Sequence, residues 1–215
     1  MYKVVVKLFI RILTENHLGV KMTQQKSMLD VFEKHKYDQS IVNNSRTWFR
    51  QQAQLLTKEG IKSTKVFQNS GRIASTIKPG NLYMFFYDPK HKETLPYYDR
   101  FPLVFPFALN ANGFTGLNMH YLSYKFRVVL LDNLLKFKTT KTLDETTKLR
   151  YSWNIIKGIS KHKLAEHCVK TYLADHVMTT TKMISPTDWV TAMMLPVESF
   201  AKSSSTQVWK NTGGV

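Results

Sequence analysis

Residues 79–121, PGNLYMFFYDPKHKETLPYYDRFPLVFPFALNANGFTGLNMHY, constrain the fold more than any other stretch of the chain. Five prolines and three glycines interrupt them, so no long helix can run through. Between the interruptions the apolar residues follow a period of two. Leu82, Met84 and Phe86 alternate with Tyr83, Phe85 and Tyr87, which predicts a strand with both faces covered. Asp88-Pro89 marks a turn. Residues 101–109 form a second apolar run, and Pro102 and Pro106 either place that strand at a sheet edge or kink it. Asn110 to Gly113 is a turn, and residues 114–119 are a third strand. Gly116 inside it signals a bulge or a close backbone approach. Short strands of this kind predict a small SH3-like or open β-barrel over about residues 80–121.

The flanks read as helical, so the expected fold class is α+β, a barrel between N- and C-terminal helices. Over residues 23–60, Met28, Leu29, Phe32, Trp48, Phe49, Leu55 and Leu56 recur at helical spacing, with Ser45 as an N-cap and Gly60 as a stop. Residues 61–78 are polar and basic, and read as an extended arm. After the barrel, Ser123 caps YKFRVVLLDNLLKFK, with Phe126, Val129, Leu130 and Leu134 on one stripe. Asp144 caps ETTKLRYSWNIIKGIS, with Leu149, Trp153 and Ile156 inward. KLAEHCVKTYLADHV puts Leu164, Cys168, Tyr172 and His176 four apart and predicts a further helix. Ser185-Pro186-Thr187-Asp188 is a helix start, and the tail docks through Val208 and Trp209. Three regions result: a basic helical region over 1–78, the aromatic β module over 79–121, and a helical region over 122–215. The last two are expected to pack as one compact domain.

Charge divides along the same lines. The chain carries 31 Lys and Arg against 15 Asp and Glu, a net +16. Residues 1–80 contribute +9, residues 81–135 only +1, and residues 136–215 contribute +6. Such an excess repels itself unless an anion lies nearby, and nucleic acid is the default partner, ahead of an acidic protein surface. The expected phosphate or acidic-partner contacts are Arg46, Arg50, Lys62, Lys65 and Arg72 before the barrel, and Lys136, Lys138, Lys141 and Lys148 after it. In the opening stretch MYKVVVKLFIRIL, Lys7 and Arg11 break the apolar run and no small-residue cleavage site follows. It is also too short and too charged to span a bilayer, so an edge strand or a first helix is expected there, and no membrane span.

The signatures of catalysis are missing. The chain has no GxxxxGK[ST], GxGxxG, HExxH or GxSxG string. A single cysteine, Cys168, excludes an internal disulfide and a cysteine-based zinc finger, and suits a reducing compartment. His167 and Cys168 are neighbours on the expected helix and point about 100° apart, too divergent to share a proton. His162, His167, Cys168 and His176 match no metal-ligand spacing. Asp88, Glu93 and Asp99, with Lys90 and Lys92, lack the strand-borne acid pair of a two-metal nuclease. No catalytic residue, metal or cofactor is expected. Asp99-Arg100 reads instead as a polar pair anchoring a loop between strands.

The segment LPYYDRFPLV is the expected exposed interface. Pro96 and Pro102 stiffen it, and Tyr97 and Tyr98 supply large amphipathic area at low entropic cost. Asp99, Arg100, Phe101 and the distant Trp209 complete the expected protein-contact set. Rings beside basic residues can also stack bases, as in single-strand-binding barrels.

Three strings, PGNLYMFFYDPKHKETLPYYDRFPLVFPF, GFTGLNMHYLSYKFR and MMLPVESFAKSSSTQVWK, resemble virion-associated proteins of T-even-like myoviruses, cyanophages included. The resemblance spans about residues 45–210. It implies a structural protein that completes the DNA-filled head or the tail, of the DNA end protector type. A baseplate, hub or neck subunit with only protein contacts is the alternative, and a metal-dependent phage nuclease the third. The implied partners are other virion proteins and double-stranded DNA, within a symmetric oligomer of the virion. The resemblance brings no catalytic residues.

Overall fold

The structure, a computed structural model, describes Thr47 and residues 73–212 except residue 139. Apart from Thr47, the helices expected over 23–60 lie outside those residues, as do residues 61–72 of the expected arm. Among the described residues the chain runs β1 (Leu82–Met84), β2 (Tyr98–Asp99), β3 (Leu103–Asn110), β4 (Gly113–Asn118), α1 (Tyr124–Lys138) and α2 (Glu145–Ser160). It continues through β5 (Val169–Leu173), β6 (Lys182–Ile184), α3 (Trp189–Met194), β7 (Phe200–Ala201) and α4 (Ser205–Asn211). The class is α+β, as expected.

The barrel is not formed. Five strands make an open antiparallel sheet in the order β5-β4-β3-β1-β6, and β2 pairs with β7 in a separate ribbon. The strands of residues 80–121 do not curl around a core of their own. They recruit β5 and β6 from the C-terminal region, and helices cover one face, so the sheet buries its apolar residues without closing.

Strand alternation decides what each face holds. Leu82, Met84, Leu103, Phe105 and Leu117 point into the main core, with Leu130, Leu134, Ile156 and Trp189. Tyr83, Phe85, Val104, Phe114 and Tyr172 point the other way and build a second, aromatic core. There the Phe85 ring meets Tyr172 edge-on at 5.2 Å and Phe114 at 5.7 Å. Both faces of β1 are therefore buried, as its pattern predicts.

β3 is a central strand between β1 and β4, not an edge strand. Its proline is tolerated because the ladder to β4 shifts register between Pro106 and Ala108, so a kink and not an edge absorbs the missing N–H. Gly116 lies opposite. A Cβ there would meet Val104 Cγ1 at 2.5 Å and the Phe105 carbonyl oxygen at 2.8 Å.

Both long helices begin where expected. Asp144 caps α2 by accepting from the Thr147 amide at 2.9 Å. α1 buries Val128 and Leu131 as well as its expected stripe, because it is sandwiched between the sheet and other helices. Residues 163–176 are not a helix. They form a 3-10 segment, Lys163–Cys168, and then β5, with a second 3-10 turn at Ala174–His176. No described helix is long and apolar enough to cross a membrane.

Candidate nucleic-acid interface

Where β2 ends, Asp99 turns inward and is buried. One carboxylate oxygen accepts the Phe101 amide at 3.0 Å. The other accepts Asn118 Nδ2 at 3.0 Å and bonds His120 Nδ1 at 2.8 Å. Burial alone would push the Asp99 carboxyl up. The His120 charge and the hydrogen bonds outweigh it and hold the carboxyl below its ordinary range. Asn118 also donates to the Tyr172 hydroxyl at 3.0 Å, which ties this network to β5.

Around it lies a cleft of about 190 Å³ lined by Tyr87, Tyr97, Tyr98, Tyr121, Tyr172 and Lys170, with Asp99 in its wall. The inner rings are fixed. Tyr87 accepts the Leu173 amide at 3.2 Å and meets Tyr172 edge-on at 4.9 Å. The Tyr121 hydroxyl bonds to the Asp99 backbone, and burial raises its pKa. Tyr97 and Tyr98 are half-buried. Lys170 lies with its ammonium 4.4 Å from the centre of the Tyr121 ring, and burial lowers its pKa.

The loop before Tyr97 is clasped from a distance. The Lys202 ammonium donates to the carbonyls of Lys92 at 2.8 Å, Glu93 at 2.9 Å and Leu95 at 3.3 Å. Lys92 itself pairs with Asp88 at 2.9 Å. The β2–β7 ribbon and these contacts hold Tyr97 and Tyr98 over the cleft.

The expected interface residues divide by burial. Tyr97 and Tyr98 line the cleft, and Arg100 is exposed. Asp99 and Phe101 are buried within the fold. Asp99 pairs with His120 and Asn118, while the Arg100 side chain stays exposed beside it. Trp209 is half-buried and donates from Nε1 to the His120 carbonyl at 2.8 Å, so it anchors α4 internally.

The lysines expected after the aromatic module converge on the α1–α2 connection. Lys136 and Lys138 stand on the last turn of α1, Lys141 in the connection, and Lys148 on the first turn of α2. They are not equivalent. Lys138 is half-buried with its ammonium 5.5 Å from the Trp189 ring, and burial, with Lys148 nearby, lowers its pKa. Lys148 pairs with Glu145 at 2.8 Å. Lys141 is exposed. Arg46, Arg50, Lys62, Lys65 and Arg72 lie outside the described residues.

Sequence reasoning does not single out Lys170, Tyr172, Asn118 or His120 for this site. Lys170 and Tyr172 stand two apart, the spacing that puts strand residues on one face, but the helical reading of that segment hides it. Cys168 is buried, which pushes its thiol up to about 12 and keeps it protonated. His167 is driven down to about 4 by burial and by Lys170. Among the described residues, no three of His, Cys, Asp and Glu converge as metal ligands would.

Neither the curated proteins nor the solved structures include a match to this chain. A protein family does match it, described as Phage T4 terminal DNA protecting protein, over residues 4–212. With a match running through the basic flanks, the aromatic sheet and the C-terminal helices alike, the chain belongs to the phage T4 terminal DNA protecting protein family.

Proposed function

We propose that this protein is a non-enzymatic component of a phage particle that holds and shields the ends of linear double-stranded DNA. The family match over nearly the whole chain carries the reading. The charge supports it: the net +16 lies almost entirely outside residues 81–135, which carry +1. Lys136, Lys138, Lys141 and Lys148 contact phosphates from the α1–α2 connection, together with Arg46, Arg50, Lys62, Lys65 and Arg72. Lys136 and Lys141 contribute most, because Lys138 packs on Trp189 and Lys148 is ion-paired with Glu145. These contacts fix position without reading sequence, which suits an end of arbitrary sequence. The protein is made in the host cytoplasm and works in the virion beside other virion proteins, in a symmetric assembly.

The test compares a linear duplex with a covalently closed circle of the same sequence, in filter binding and in exonuclease digestion. The linear form is expected to bind more tightly and to resist digestion. Equal binding to both forms, with ends left open to the nuclease, discards the reading.

A further inference from the structure

Backbone contacts by surface lysines do not distinguish an end from the middle of a duplex. The tyrosine cleft has properties that do. It is a narrow space of about 190 Å³ walled by five tyrosines, with one ammonium, Lys170, set into it. The inner rings cannot turn to suit a partner's hydrogen-bonding pattern. Tyr87 is held by the Leu173 amide, Tyr172 by Asn118, and Tyr121 by the Asp99 backbone. Almost fully buried themselves, they form a fixed aromatic floor beneath the half-buried Tyr97 and Tyr98, whose rings remain for stacking. Asp99 already accepts from Phe101, Asn118 and His120, so it braces the wall. Lys170 holds its charge against the Tyr121 ring at 4.4 Å, inside the cleft and away from bulk water. Rings plus one sheltered cation match a nucleotide: a base has a stacking face whatever its sequence, and its phosphate needs a counter-charge.

We propose that this cleft receives the unpaired terminal nucleotide of a DNA strand, its base against Tyr98 and its phosphate at Lys170. The assignment rests on the end-protecting reading and gives it a source of end selectivity. Bases inside a duplex are stacked on both faces, and extruding one costs free energy that a terminal or single-stranded base does not require. Only an end delivers a base to this cleft cheaply. Tyr98 is the ring to remove, because its backbone pairs with Ala201 while Tyr97 also packs on Phe200 at 6.4 Å and on Tyr121 at 6.1 Å.

The experiment uses the full chain as wild type, Tyr98→Ala, Tyr98→Phe and Lys170→Met. Three probes are titrated: a 5′-phosphorylated single-stranded tetranucleotide, a linear duplex with short single-stranded overhangs, and the same duplex with both ends closed by hairpins. Inorganic phosphate serves as competitor. Tyr98→Ala and Lys170→Met are each expected to weaken tetranucleotide and overhang binding about tenfold, within the range known for base–aromatic stacking. Tyr98→Phe retains binding, and the hairpin-closed duplex is bound equally by all four proteins. The assignment is overturned if wild type does not take up the tetranucleotide, if Tyr98→Ala binds it as wild type does, or if phosphate alone displaces it at equal concentration. A wild type that binds hairpin-closed and overhang duplexes alike refutes end selection itself. Tetranucleotide uptake sensitive to Tyr98 in that case still locates the cleft.

Discussion

Arg127 draws distant parts of the chain together. Its fully buried guanidinium donates to the carbonyls of Leu122, His120 and Met193 and pairs with Glu198. It also stacks against Tyr124 at 4.6 Å and Trp209 at 5.6 Å. The segment just before α1, the end of α3, the loop at Glu198 and α4 are thereby fixed to the start of α1. Removing one partner of a buried pair strands the other, so Arg127→Met is expected to cost about 3–5 kcal/mol in urea unfolding. Adding Glu198→Leu is expected to recover part of that loss, because no lone charge then remains buried. Nothing at position 127 in the sequence announces this role; a basic residue in an apolar helix reads as a snorkelling cation. Acid sensitivity also resides in single residues. His167 is held neutral down to about 4, below its ordinary 6.5, so between those values the unfolded chain binds a proton that the native one refuses. Stability is therefore full above the ordinary value and falls as pH drops from 6.5 to about 4. Asp99 adds a later loss, since its lowered carboxyl stabilises the fold above the unfolded carboxylate value of 3.8 and loses that contribution on protonation. In thermal melts across pH, His167→Asn is expected to flatten the first decline and leave the second.

At the scale of elements, α1, α2, α3 and the strands β1, β3 and β4 were legible because local signals agreed with the tertiary setting. Asp144 is both the predicted and the observed cap of α2, and Asp144→Ala is expected to lower the midpoint of chemical denaturation. Gly116 was marked by its place inside a strand, and the close approach of Val104 and Phe105 is the reason. Gly116→Ala is expected to destabilise by about 1–3 kcal/mol, measured the same way, because a central ladder must part to admit the methyl. The failure at β5 is equally physical. Leu164, Cys168, Tyr172 and His176 keep a spacing of four, yet Val169 and Thr171 are β-branched and the segment has β4 to pair with. Thr171 Oγ1 meets Thr115 Oγ1 at 2.9 Å across that ladder. Pairing with a strand some fifty residues earlier is not a local property, so the periodicity misled.

Over the whole molecule, the uneven charge translates into a measurable slope. Replacing Lys136, Lys138, Lys141 and Lys148 together by Ala is expected to reduce the salt dependence of DNA binding by about 0.9 for each phosphate no longer neutralised. A larger share should follow from Lys136 and Lys141 than from the packed Lys138 or the ion-paired Lys148. An unchanged slope would remove the α1–α2 connection from the DNA-contacting surface. The α+β class, the helix starts, the turn positions and the segregation of charge were all determined by the sequence alone, because each depends on neighbours within a few residues. Only the tertiary structure decided that the sheet stays open, that Asp99 and Phe101 turn inward, and that Lys170 joins five tyrosines in one cleft. Those outcomes depend on which distant segments bury one another, a choice made by packing and polar satisfaction over the whole chain and not by any local pattern.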